Sequence, residues 1–203
     1  MESSSRRERK KAETRRRISD LGTLLFMERG FDNVTIGEIA EAADVSKVTV
    51  FNHFPRKEDI FFDRLPELAE LLTVTVRDRP GGTSVLGALR ATLLRHIAEG
   101  HPLGGMDDRF RLFWGVILDS PALRARLRET VEEAEDLLAS LIAEWGDDPD
   151  PWLSAALIVA GCRAAYGSIA ARVLAGEAAA GLQEEYVARV NLTFDALERA
   201  LAR

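Results

Sequence analysis

A single cysteine in 203 residues, Cys162, excludes an internal disulfide framework. Histidine is almost as scarce, with three in the chain. No glycine-rich phosphate loop, nucleophile motif or metal-ligand spacing accompanies them, so neither enzymatic activity nor a cofactor is expected. No stretch alternates apolar and polar residues with the period of a strand, which points to an all-α fold. The longest apolar run, LSAALIVAGC, is far short of the roughly 20 residues that a membrane span needs. The charged N-terminus has no apolar signal core, so export is not expected and the chain is placed in the cytosol, away from any membrane.

What is present is apolar mass and an uneven charge. With 46% apolar residues the chain can build one large core, or a small module joined to a larger one. A net charge of −6 would disfavour a polyanionic partner if it were spread evenly. Met1 to Arg17 instead carries eight Lys/Arg against three Glu. Met1 to Arg64 balances thirteen basic against twelve acidic residues, leaving fourteen to twenty-one for the remainder. A basic front precedes an acidic body. Alone, RRERKKAETRRR reads equally well as a solvated, disordered tail.

Helical periodicity follows. Ile18, Leu21, Leu25 and Phe26 recur on one face, and Gly30 suits a left-handed helix end. Thr35 with Glu38 forms a capping-box pattern that opens a short helix to Ala43, along which Ile36, Ile39, Ala40 and Ala43 trace one side. Asp44 can take the tight turn, although glycine would fit it more easily. Ser46 caps a third helix. A fourth starts near Lys57, and Pro66 is expected to bend or break it. Beyond the loop RPGGTS come a helix to about Glu99, an aromatic helix around RFRLFWGVIL, a long helix opened by Ser120 and Pro121, one over Trp152 to Leu174, and a last from about Leu182.

The stretch VSKVTVFNHFPRKE decides how the front end is read. Val45, Val50 and Phe54 share one side of a short helix and can hold it to a core, while Val48, Asn52 and, more obliquely, Thr49 face away. Two short helices joined by a tight turn, the second polar outside, describe a helix-turn-helix. Lys47, Val48, Thr49 and Asn52 would then meet base edges in the major groove of double-stranded DNA, with Val48 suited to a thymine methyl.

GFDNVTIGEIAEAADVSKVTVFNHFPRKEDIF, from Gly30 to Phe61, resembles the N-terminal signature of the TetR family of bacterial transcriptional repressors. The resemblance implies an all-helical homodimer on a palindromic operator. Residues 1–56, the basic arm included, would bind DNA, and 57–203 would form a bundle that dimerises and holds a small-molecule inducer. It implies phosphate contacts from Thr35, His53 and Lys57, with Arg15, Arg16 and Arg17 as further contacts. Two positions depart from the pattern. Phe51 stands where many members carry a Tyr whose hydroxyl holds a phosphate, and Asp44 stands where Gly is usual.

In the body, Arg109, Phe110, Phe113, Trp114, Ile117 and Tyr166 are the candidate lining of an apolar effector pocket, with Arg111 and the histidines as further polar candidates. The small residues Ala156, Ala160, Ala164, Gly167 and Ala171, spaced by three and four, would allow close helix approach. With Leu192, Phe194, Leu197 and Leu201 of the last helix they form the candidate dimer interface. His96 and His101, five apart with Gly100 between them, do not share a helical face and are not read as metal ligands. Cys162, in an Ala- and Gly-rich helix, reads as a small buried thiol. Two other readings stay open at this level: a ligand-independent DNA-binding protein, and a helical interaction scaffold.

Overall fold

The computed structural model describes residues 2–104, 110–146 and 148–202, and among these the regular structure is entirely helical. The helices are α1 (Glu2–Arg29), α2 (Ile36–Ala42), α3 (Lys47–His53), α4 (Glu58–Phe61), α5 (Leu65–Arg77), α6 (Val85–Ala98), α7 (Phe110–Asp119), α8 (Pro121–Trp145), α9 (Pro151–Leu174) and α10 (Gln183–Leu201), with a 3₁₀ turn at Ala179–Leu182. Helix starts follow short polar side chains that accept orphan backbone N–H groups. Thr35 and Glu38 cap each other reciprocally, Ser46 Oγ accepts from the Thr49 amide at 3.0 Å, and Asp150 Oδ1 accepts from Leu153 at 3.2 Å ahead of Pro151. Two outcomes differ from the sequence reading. The basic stretch is the first half of α1 rather than a tail. Pro66 sits in the first turn of α5, where its missing N–H costs nothing, and the break falls just upstream at 62–64.

The chain divides into two compact units, Met1–Arg64 with Leu112–Arg126, and Leu65–Arg111 with Leu127–Arg203. Residues 57–64 thus group with the N-terminal helices because α4 contributes Ile60 and Phe61 to their core. The first unit is built on aromatic contacts. Phe26 meets Phe31 at 4.8 Å and Phe61 at 6.1 Å between centroids, and Phe61 stacks on Phe113 at 4.7 Å. Ile18, Ile39, Val50 and Ile60 are fully buried around them. Polar ties fix the edges: Ser19 Oγ donates to Asp63 at 2.5 Å, Ser120 Oγ donates to Asp32 at 2.9 Å while capping α8, and Arg126 pairs with Asp59 at 3.0 Å.

In the second unit α10 packs along α9 and against α6, turning Tyr186, Val190, Phe194 and Leu197 inward. Gly161 lets the α9 and α10 backbones approach, since a Cβ there would stand 2.9 Å from a Thr193 methyl and 3.2 Å from Leu197. Arg90 of α6 forks onto α10, with Nε and Nη2 on Asn191 Oδ1 at 3.0 and 2.8 Å and Nη1 on Asp195 at 2.7 Å. Arg79 closes two helix ends at once by donating to the carbonyls of Val76 and Trp145. Among the described residues α9 alone is long and apolar enough to cross a membrane, a length that the shorter apolar run in its sequence did not show. A third of its apolar window is buried, and Arg163 stands on its exposed side.

Gly22, in mid α1, shows where packing overrides propensity. A Cβ there would lie 2.7 Å from Ile60 Cγ2 and 3.5 Å from Ile39 Cγ2, both buried branched side chains with nowhere to move. Gly115 of α7, by contrast, has nothing within 4 Å. Helix propensity favours Ala over Gly by about 1 kcal/mol, whereas overpacking a closed core costs about 1–3 kcal/mol. Gly115→Ala is therefore expected to raise the urea midpoint and Gly22→Ala to lower it. Two shifts of the same sign would show that α1 does not lie against Ile60 as described.

Candidate nucleic-acid interface

α2 and α3 meet at a turn set by local hydrogen bonds. The Ala43, Asp44 and Val45 amides donate to the carbonyls of Ile39, Glu41 and Ala40 at 2.9, 3.1 and 2.9 Å. Asp44 takes φ 50, the left-handed conformation that the sequence reading assigned to it. α3 is seated by Val50 and by Phe54 just past its end, both fully buried. Lys47, Val48, Phe51 and Asn52 are left exposed, and Thr49 half-buried. Val48 is 68% and Phe51 51% exposed, two apolar side chains that helix packing does not use. Phe51 brings ring but no hydroxyl to that surface. The Thr49 hydroxyl is paired with that of Ser46 at 2.9 Å. The Lys47 stem lies over Gly37 of α2, so near that a Cβ on Gly37 would stand 2.9 Å from Lys47 Cε.

The candidate phosphate contacts separate into two groups. Arg16 and Arg17 are exposed on α1. They line a shallow groove of about 610 Å³ with Arg9, Glu13 and Asp20. Arg15 and Lys57 instead hold the unit together. Arg15 Nη1 donates to the His53 carbonyl at 2.5 Å, and its guanidinium lies 4.1 Å from the centroid of Phe54. The Lys57 ammonium donates to the Phe31 and Val34 carbonyls at 2.7 Å each, 4.1 Å from the Phe31 centroid. Desolvation is the first cause of its lowered pKa, opposed by Asp32, Glu58 and Glu38. Thr35 gives its backbone N–H and its hydroxyl proton to Glu38 Oε2 at 2.8 Å each, which holds the Glu38 carboxyl below its usual range. His53 is half-buried at the end of α3, its pKa lowered first by desolvation and then by the charges of Lys11 and Arg15. Lys11 is a neighbour that the sequence reading passed over, although its place four residues before Arg15 puts it on the same helix face.

The expected pocket residues are divided between the two units. Arg109 lies outside the described residues, and Phe110 opens α7. Phe113 stacks on Phe61 and meets Phe62 edge-on at 6.4 Å, and Ile117 is buried at 1% exposure, both in the first unit. Trp114 meets Phe113 edge-on. Tyr166 belongs to the second unit, its ring 6.4 Å from that of Tyr186. A cavity of about 300 Å³ does open in that unit, lined by Tyr186 but by none of the expected residues.

On α9 the small-residue stripe faces outward, with Ala160, Ala164, Gly167 and Ala171 exposed and Ala156 half-buried. Phe194 and Leu197 are 1% and 7% exposed because they form the inner stripe of α10, while Leu192 is 60% exposed. His96 and His101, which spacing alone kept apart, stand with ring centroids 4.4 Å apart because Gly100 reverses the chain at φ 62. His96 Nδ1 pairs with the Thr92 carbonyl, and the Leu103 amide donates to His101 Nδ1 at 3.2 Å. That bond leaves the proton of neutral His101 on Nε2. Burial pushes the Cys162 thiol up to about 11, so it stays protonated and unreactive at neutral pH.

Comparison with known proteins supports the identification of this constellation. Residues 18–63 match the family model described as "Bacterial regulatory proteins, tetR family". The HTH-type transcriptional regulator TcmR of Streptomyces glaucescens is 32% identical over 142 residues, covering 68% of this chain and 62% of TcmR. The crystal structure of a TetR-family transcriptional regulator from Mesorhizobium loti superposes with a TM-score of 0.60 at 19% identity, covering 94% of this chain and 97% of its own. The SmeT–triclosan complex superposes at 0.59 and 18% identity, covering 93% and 91%. These two likenesses carry the fold over more than nine tenths of the chain, while the family model matches residues 18–63. The helix-turn-helix segment, residues 18–63, thus matches the tetR family of bacterial regulatory proteins, and the chain spans about three fifths of the length of TcmR.

Proposed function

We propose that the protein is a cytoplasmic DNA-binding transcriptional regulator that represses from a palindromic operator as a homodimer and is released by a small molecule. The observation that carries this reading is the outward face of α3. Lys47, Val48, Phe51 and Asn52 are presented by a helix seated on fully buried Val50 and Phe54, in the same unit as exposed Arg16 and Arg17. A helix held this way can enter a major groove, where Lys47 and Asn52 offer polar atoms to base edges and Val48 a methyl surface. Thr49 can add a base contact through the hydrogen-bonding capacity that its hydroxyl keeps beside the bond to Ser46. The relative TcmR carries the name of a transcriptional regulator, in keeping with this assignment.

Dimerisation is supported by the exposed stripe of α9. Trp152, Leu153, Ala160, Ala164 and Gly167 leave an apolar, closely approachable surface on one helix, with Leu192 exposed on α10. Two reading helices must lie about 34–36 Å apart to enter successive grooves, so a ligand acts by its differential affinity for two spacings. SmeT, a protein of the same fold, is known in complex with triclosan, which supports a small organic effector here.

Binding to duplex DNA should weaken steeply with salt, and Arg16→Ala should flatten the log–log slope by about 0.9 for each phosphate contact removed. Lys47→Ala should instead relax base preference, at about 1–3 kcal/mol for a good contact. A salt titration and a randomised-site selection read the two effects. If both variants match the parent on every duplex, α3 is not the reader.

The pH dependence has a definite sign. The pKa of His53 in the free protein lies below its ordinary value near 6.5, so the imidazole is neutral at pH 7. The stability linked to this group is present above the unfolded pKa and lost as pH falls through the folded one. A DNA phosphate beside the ring would raise that pKa, so the complex takes up a proton. Affinity should therefore rise between pH 8 and 6, by at most about tenfold per unit for one proton. His53→Asn should remove the increment. An unchanged pH profile in this variant would place His53 away from the phosphates.

Ala164→Arg puts a charge in the middle of the exposed α9 stripe without touching the protomer core. Sedimentation should give folded monomers with weakened operator binding, whereas an unchanged dimer would move the interface elsewhere.

A further inference from the structure

The cavity of the second unit lies between the C-terminal end of α6, Ile169 of α9 and the start of α10, and measures about 300 Å³. That is the small end of the range for ligand sites. Ile97, Ile169 and Leu182 make its apolar wall, and Glu99, Gln183 and Tyr186 bring the polar atoms.

The Tyr186 side chain is the informative one. The residue is 4% exposed, yet among the described residues nothing hydrogen-bonds its hydroxyl. Among the described residues no fully enclosed side-chain oxygen or nitrogen lacks a partner, so this hydroxyl is not fully enclosed, and Tyr186 lines the cavity on one side with Cys162 near its hydroxyl on the other. Such a group is costly to leave unpaired and is satisfied by whatever enters. Burial raises its pKa far above neutrality, so it is a phenol that can both accept and donate.

The other polar atoms are acceptors. Glu99 follows the last turn of α6, and its carboxylate has no cationic partner among the described residues. The carbonyl end of α6 adds negative potential at the same edge. Gln183 Nε2 is directed at the Ile97 carbonyl at 3.5 Å, which leaves its amide oxygen for a ligand. Arg172 is already paired with Glu177 and Glu185. The hollow therefore combines an apolar wall with carboxylate, amide and phenol oxygens, and among the described residues no cation lines it.

We propose that this cavity binds an amphiphilic ammonium ion, a protonated primary or secondary amine on an apolar body about the size of a bicyclic ring. Its N–H groups meet Glu99, the Gln183 oxygen and the Tyr186 oxygen while the body covers Ile97, Ile169 and Leu182. An anion is repelled by Glu99 and the helix end, and a hydrocarbon leaves the Tyr186 hydroxyl unpaired. This sharpens the effector proposed above from a small organic molecule to an amine, and only its consequence for DNA rests on that reading.

Three indoles of nearly equal shape test the assignment on the full-length protein: tryptamine, its uncharged isostere 3-propylindole, and indole-3-propionate. Calorimetry should give tryptamine an affinity about tenfold above 3-propylindole, with the anion weakest. Glu99→Gln, at an exposed position that leaves folding intact, should reduce tryptamine binding about five- to tenfold and leave 3-propylindole unchanged. Tyr186→Phe, which keeps the ring, should weaken tryptamine selectively. Equal affinity for the amine and its isostere, or a Glu99→Gln variant that binds tryptamine like the parent, overturns the proposal. Operator binding is measured separately: tryptamine that binds with this selectivity but leaves the operator occupied upholds the site and removes the release mechanism. Release by 3-propylindole alone does the reverse.

Discussion

The closure of Arg15 over the end of α3 is the contact on which the exposed reading face depends. A seven-residue helix cannot hold itself in water, because nucleation costs more than so few hydrogen bonds return. α3 is held by Val50 and Phe54, and Arg15 completes that hold by covering the Phe54 ring and taking the His53 carbonyl that the helix end leaves unpaired. Lys57 does the same for the loop between α1 and α2 through the carbonyls of Phe31 and Val34. Two cations of the basic front end thus hold the unit together, and the neighbouring Arg16 and Arg17 are left to face outward. A basic segment can serve both ends because a helix distributes consecutive residues to different sides.

This division explains what the sequence could and could not disclose. The helix starts at Thr35, Ser46 and Ser120 were legible because capping is a contact between residues three apart. The outward set on α3 was legible from the periodicity of Val50 and Phe54. The turn at Asp44 followed from the tolerance of an Asp side chain for left-handed backbone. Arg15 and Lys57 were not legible in their observed roles, since their partners lie thirty-eight and twenty-six residues away and any exposed cation offers the same pattern. The partner of Phe113 was not legible, because an aromatic helix carries no mark of what it will stack against; it stacks on Phe61. Phe194 and Leu197 were grouped with the outer stripe of α9 although they lie on the inner side of α10. An amphipathic helix shows which of its faces is apolar, but not whether that face meets its own chain or another.

The two compact units differ in the chemistry they offer. The first presents cations and a methyl surface around a short helix, as a polyanion with apolar base edges requires. The second surrounds its hollow with oxygen atoms and keeps its one nearby thiol inert by burial. The uneven charge along the sequence is the one-dimensional trace of this separation, basic residues toward the start and an acidic excess beyond it. A uniform distribution of the same net charge would have served neither surface.

Gly37 and Lys47 sit on different helices, yet the lysine stem occupies the volume that any side chain at position 37 would claim. Any side chain at 37 therefore displaces the flexible end of the lysine. If Lys47 reads bases as proposed, a larger residue at 37 displaces its end and alters which base it reaches, without any change in the residue nominally doing the reading. On the proposed reading of DNA by Lys47, specificity is consequently a property of a pair, and a homologue that keeps the lysine but loses the glycine should be treated as a different reader.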